Sequence, residues 1–163
     1  MTMAEINALD SPGFVEKIGW VFEDSPWVAG RALLSRPFGS LDDLCEKLNA
    51  QLLNATRAEQ LTLLRAHPDL GTRARVSPGS AKEQSGAGLG RLTQKEYDQL
   101  LSMNNAWKKK FGFPFLYAVK GSDKFAIMEA MRRRLDSSLD EEFHEALQQV
   151  FRIARFRLEE IVD

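Results

Sequence analysis

The sequence predicts an all-α fold, a single helical-bundle domain over residues 1–163 with one glycine-rich loop and one short extended segment. Three observations predict it. Apolar residues recur at helical spacing along most of the chain. Ser/Thr-x-x-Glu capping patterns stand ahead of several of these stripes. Alternating apolar–polar runs, the mark of half-buried strands, are almost absent. With 163 residues and 44% apolar content, the chain can build one core.

The elements follow in order. Ser11-Pro12 sets a cap residue before proline, as expected at a helix start, and Ser25-Pro26 repeats this before Trp27-Val28-Ala29. Ser40 opens a stripe of Leu41, Leu44, Leu48 and Leu52. Thr56 and Glu59 form a capping box ahead of Leu61 and Leu64. That helix should stop near Ala66, because Pro68 disfavours helical geometry at His67. Residues 71–91 hold five of the 11 glycines, Pro78 and few large apolar groups. They read as a loop with a short helix around Ser80 to Gly86. Thr93 and Glu96 open a helix to about Phe111, with Gly112 as its stop. Phe113-Pro114-Phe115-Leu116-Tyr117-Ala118-Val119 is apolar and carries a proline, so it is expected to be buried and extended. Ser122 or Asp123 starts a helix bearing Ile127, Met131 and Leu135. Ser138 with Glu141 caps the last and longest helix, through Phe143, Leu147, Val150, Ala154 and Leu158.

Several function classes are disfavoured. A net charge of -1 argues against a nucleic-acid binder. Lys108-Lys109-Lys110 and Arg132-Arg133-Arg134 are balanced by acids elsewhere and read as solvated helix faces. Cys45, the one cysteine, permits no internal disulfide and no cysteine metal site, and fits a reducing compartment. No run is apolar enough to span a bilayer, and Met1 to Ser11 lacks a signal-peptide pattern. The C-terminus lacks a Ser-Lys-Leu address, so a cytoplasmic location is expected, with no membrane partner.

Chemistry can rest on few residues. There are two histidines, His67 and His144. His67 stands at a predicted helix C-terminus, where the dipole favours imidazolium and Pro68 fixes the adjoining backbone. A proton carrier fits there, although the local pattern alone favours a plain capping histidine. His144 lies among Glu141, Glu142 and Glu145 and reads as a surface residue. If helical, Ser80-Ala81-Lys82-Glu83-Gln84 sets a hydroxyl, a carboxylate and an amide on one face. The same residues also read as a capping box, with Ser80 as cap and Glu83 reaching back. Gly86-Ala87-Gly88-Leu89-Gly90 is no phosphate loop: no strand precedes it and no Lys-Ser/Thr follows. Arg155 and Arg157, near the end of a mostly apolar helix, can bind an anion or planar polar group, or simply face solvent.

Four motifs then occur in order. They are His67-Pro68-Asp69-Leu70-Gly71; Ser80-Ala81-Lys82-Glu83-Gln84 with Gly86-Ala87-Gly88-Leu89; Asn104-Asn105-Ala106-Trp107 with Lys110-Phe111-Gly112-Phe113-Pro114-Phe115; and Ile153-Ala154-Arg155-Phe156-Arg157-Leu158. Together they resemble the 2-oxo-4-hydroxy-4-carboxy-5-ureidoimidazoline (OHCU) decarboxylase family over most of the chain. There are two departures. Trp107 stands where the family usually has Tyr. Gly71-Thr72 replaces the common Ala-Gly, ahead of a short loop to Ser80.

The resemblance implies a small-molecule ureidoimidazoline substrate that loses CO2 to give (S)-allantoin in urate degradation. The substrate carries its own ring C=N as electron sink, so no cofactor and no metal is expected. It implies His67 as the proton-transferring residue and Glu83 as its orienting partner. It further implies substrate binding by Pro68, Ser80, Gln84 and Arg157, and by the backbone of Phe115, Leu116, Tyr117, Ala118 and Val119. A homodimer is expected. The alternative is a non-enzymatic helical interaction module, in which His67, Glu83 and Arg157 are capping and surface groups. A nucleic-acid-binding bundle would need a continuous basic face, which the scattered Lys and Arg residues do not suggest.

Overall fold

A computed structural model describes residues 1–72 and 77–163. The part of the expected glycine-rich loop at 73–76 lies outside the described residues. Those described form an all-α protein without a strand. They group into two compact units, Met1–Ala66 with Val150–Asp163, and His67–Gln149.

The first unit holds α1 (Met3–Ala8), α2 (Ser11–Ile18), α3 (Trp27–Ala32), α4 (Leu41–Leu53) and α5 (Arg57–Arg65). Its helices start where side chains meet the otherwise unpaired N–H groups. Ser40 Oγ accepts from Asp43 N–H at 3.1 Å, and Thr56 and Glu59 form the expected capping box. Two expected caps move. Asp10, not Ser11, caps α2, leaving Ser11 and Pro12 as its first two residues. Ser25 caps nothing at α3; its hydroxyl donates to the Glu23 C=O at 2.8 Å. α4 buries Leu44, Leu48 and Leu52 completely, and Leu41 stays half-buried. The helix α3 packs on both α2 and α4.

The second unit holds α6 (Pro78–Gly86), α7 (Gln94–Phe111), α8 (Lys124–Arg134) and the start of α9 (Leu139–Ile161). Thr93 and Glu96 cap α7, and Gly112 ends it at φ 79°, a left-handed conformation glycine adopts without strain. Along one face of α7, Leu100, Asn104, Trp107 and Phe111 are buried. Trp107 is the hub of an aromatic cluster, 4.4 Å from the Phe111 ring centroid and 4.8 Å from that of Phe115. The run 113–119 is non-helical and buried except for half-buried Tyr117, as its composition predicts. Asp123 then caps α8.

Candidate active site

His67 is the first residue of the second unit, directly after Ala66, the C-terminal cap of α5. It is 7% exposed, whereas His144 is exposed on α9. Of the two imidazoles, only His67 has surroundings set by the protein. The loop beyond it is held through its backbone. Gln84 Oε1 accepts from Gly71 N–H at 2.9 Å, and Asn104 Nδ2 donates to the Leu70 C=O at 3.0 Å. Lys108 Nζ adds an ion pair to Asp69 Oδ2 at 2.7 Å. Gly71 closes this loop at φ 70°, and a Cβ there would meet Leu100 Cδ2 at 2.5 Å. The positive φ favours glycine at that point, and a larger residue would have to displace the Leu100 side chain.

The helix α6 begins earlier than expected. Ser77, not Ser80, is its cap, with Ser77 Oγ accepting from Ser80 N–H at 3.2 Å and Pro78 in the first turn. Ser80 is thereby released from capping and is buried inside the helix, with Glu83 and Gln84 half-buried one turn on. Residues three and four apart share a helix face, so Ser80, Glu83 and Gln84 do line up as a hydroxyl, a carboxylate and an amide.

The Phe115–Val119 run has much of its backbone already engaged. The Leu116 C=O accepts from Arg134 Nη1 at 2.9 Å, Ala118 N–H donates to Gln149 Oε1 at 2.9 Å, and the Val119 C=O accepts from Ser122 N–H at 2.9 Å. These bonds narrow the groups left to meet a ligand.

Arg157 belongs to the first unit and is 3% exposed. Its Nη2 donates to Glu23 Oε2 at 2.9 Å and its Nη1 to the Trp20 C=O at 3.2 Å. Its guanidinium lies 5.7 Å from the Trp20 ring centroid. Asp24, next to Glu23, adopts φ 45°, uncommon for a residue other than glycine. Among the described residues, no group of three or more His, Cys, Asp or Glu side chains is placed to hold a metal ion. Nor is any helix long and apolar enough to cross a membrane.

Sequence reasoning missed Glu23, Asn104, Glu142 and Gln149 as partners, and it misread Arg134. Arg132 and Arg133 are exposed as expected, but Arg134 is half-buried and pairs with Glu142, itself 1% exposed. Burial pushes the Glu142 carboxyl above its usual range, and the Arg134 guanidinium opposes that rise. The available signal was register: Ala130, Met131 and Arg134 fall on one face of α8, so the third arginine follows the buried side.

A sequence model of the OHCU decarboxylase family matches residues 7–159. The chain belongs to that family. The 2-oxo-4-hydroxy-4-carboxy-5-ureidoimidazoline decarboxylase of Haloferax volcanii is 44% identical, over 98% of this chain and 95% of its own. The uric acid degradation bifunctional protein PucL of Bacillus subtilis is also 44% identical, over 99% of this chain but 33% of its own. The chain thus spans a third of that bifunctional relative and nearly all of the Haloferax one. The crystal structure of (S)-allantoin synthase matches with a TM-score of 0.79 at 27% identity, covering 100% of this chain and 55% of that one. As an OHCU decarboxylase family member, the chain is an enzyme of the carboxy-lyase type.

Proposed function

We propose that residues 1–163 act as one domain that converts OHCU to (S)-allantoin in urate degradation, without a cofactor. The observation that carries this reading is the contrast between the two histidines. The one in the His-Pro-Asp-Leu motif is buried, in a loop pinned by Gln84 and Asn104, while the other is exposed. When the C–C bond to the substrate carboxylate breaks and CO2 leaves, its electron pair forms a C=C bond to the neighbouring ureido-bearing ring carbon, and the former C=N nitrogen takes up a proton. The resulting enol then takes a proton on one face of that ureido-bearing carbon as its hydroxyl loses one and becomes the ring carbonyl. Stereocontrol requires a proton donor held on one side, and an imidazole is suited to that at neutral pH. His67 moves the proton, and Glu83 orients or polarises it. Ser80, Gln84, Arg157, the Phe115–Val119 backbone and the flank of Pro68 hold the ring and ureido group. The protein works as a cytoplasmic homodimer, with no nucleic-acid or membrane partner.

The test uses OHCU generated enzymatically from urate. OHCU also decays unaided, so the readout is acceleration together with chirality, followed by circular dichroism. Rapid appearance of the (S)-allantoin signal is expected. Decay at the spontaneous rate to racemic product would overturn the proposal.

A further inference from the structure

We infer that Arg134 and Gln149 are positioning residues of the decarboxylation site, holding the Phe115–Val119 backbone in the shape that receives substrate. This rests on the reading above that the segment binds substrate. The run lies outside any helix, so its buried N–H and C=O groups must find partners elsewhere. Two helices supply them at alternate residues: Arg134 of α8 at the Leu116 C=O, and Gln149 of α9 at the Ala118 N–H.

Each clamp is itself aimed by a second contact. Arg134 grips both oxygens of Glu142, with Nε to Oε2 at 3.2 Å and Nη2 to Oε1. A guanidinium is a rigid planar fork, so fixing two donors on a carboxylate directs the third, Nη1, at Leu116. The same plane lies 4.6 Å from the Phe115 ring centroid and 5.7 Å from that of Trp107, so the ring beside Leu116 is held as well. Gln149 is 5% exposed, and its Nε2 donates to Glu145 Oε1 at 2.8 Å, which fixes which end of the amide faces Ala118. Neither residue lies in the motifs that carry the family resemblance. Both act through backbone, not by touching substrate.

A purely structural Arg134–Glu142 pair would be replaceable by apolar residues at little cost. The test is therefore Arg134→Met/Glu142→Leu, which removes the pair without leaving an orphaned charge but leaves the Leu116 C=O unheld. The expected protein melts near the wild-type temperature and shows a KM for OHCU raised on the order of 10-fold, with kcat changed much less. Gln149→Met is expected to raise KM similarly, and the exchange Gln149→Glu/Glu145→Gln, which keeps an acceptor for Ala118 N–H and a donor–acceptor pair between positions 145 and 149, to recover most of the loss. A well-folded double variant with wild-type KM overturns the inference. If the double variant does not fold, a wild-type KM in Gln149→Met overturns it by itself. Wild-type protein that fails to accelerate OHCU loss overturns the parent reading and this one with it. An active wild type with unmoved variants overturns only this one.

Discussion

Two helices of this protein start alike and are held differently. Both α4 and α6 open on a serine whose Oγ accepts a backbone N–H three residues on. Beyond that cap, α4 carries Leu44, Leu48 and Leu52 one turn apart, each fully buried. α6 reads Pro-Gly-Ser-Ala-Lys-Glu-Gln-Ser-Gly, and Ser80 is the one residue it buries. A nine-residue helix without an apolar stripe has little stability of its own in water. It is held by its cap and by polar contacts such as Gln84 to Gly71. α4 trades apolar area for stability. α6 contributes little area and presents three polar side chains instead. A helix that is poor in packing and rich in aligned polar groups marks a site more clearly than any one of its residues.

That contrast can be broken by separating activity from stability. The largest effect is expected at His67, in the loop that α6 pins. His67→Asn keeps similar size but cannot titrate near neutrality. Turnover should fall on the order of 10²–10⁴-fold, with the melting temperature and the affinity for a substrate analogue much less affected. His144→Asn, an exposed control, should be nearly silent. A folded His67→Asn protein that makes (S)-allantoin at the wild-type rate would remove His67 from the mechanism.

On the α4 side the expectation reverses. Leu48→Ala opens a hole in a fully buried stripe and should cost about 2–5 kcal/mol in denaturant unfolding. The fraction still folded should keep wild-type kcat. A lowered kcat in fully folded protein would show that α4 also shapes the site.

The caps sharpen the comparison with the smallest change. Ser40→Ala and Ser77→Ala each remove one capping acceptor, worth about 1 kcal/mol. In α4 the leucine stripe should hold the helix, so global stability drops modestly and activity is unchanged. In α6 no stripe compensates, so the loss should appear as local fraying and reduced activity, with global unfolding hardly moved. Amide hydrogen exchange across residues 78–86 together with turnover distinguishes the two. Equal effects of both variants on activity would erase the distinction.

Much of this was legible along the chain. Capping boxes at Thr56 and Thr93, the glycine stop at Gly112 and the proline-broken run after it are local chemistry. They depend on residues within a turn or two, so sequence alone determines them and with them the all-α class. The four motifs likewise carry the family, because they are strings of adjacent residues. What only the tertiary structure decided is which polar groups are buried and what they meet. The Arg132-Arg133-Arg134 run looks uniform, yet Arg134 alone reaches a buried Glu142 eight residues on and the Leu116 carbonyl 18 residues back. Gln149 finds Ala118 across 31 residues, and Asn104 finds Leu70 across 34. Such partners are set by how helices pack, and packing follows the apolar stripes. Register can place Arg134 on the buried side of α8, but which group each buried polar side chain meets leaves no periodic trace in the sequence.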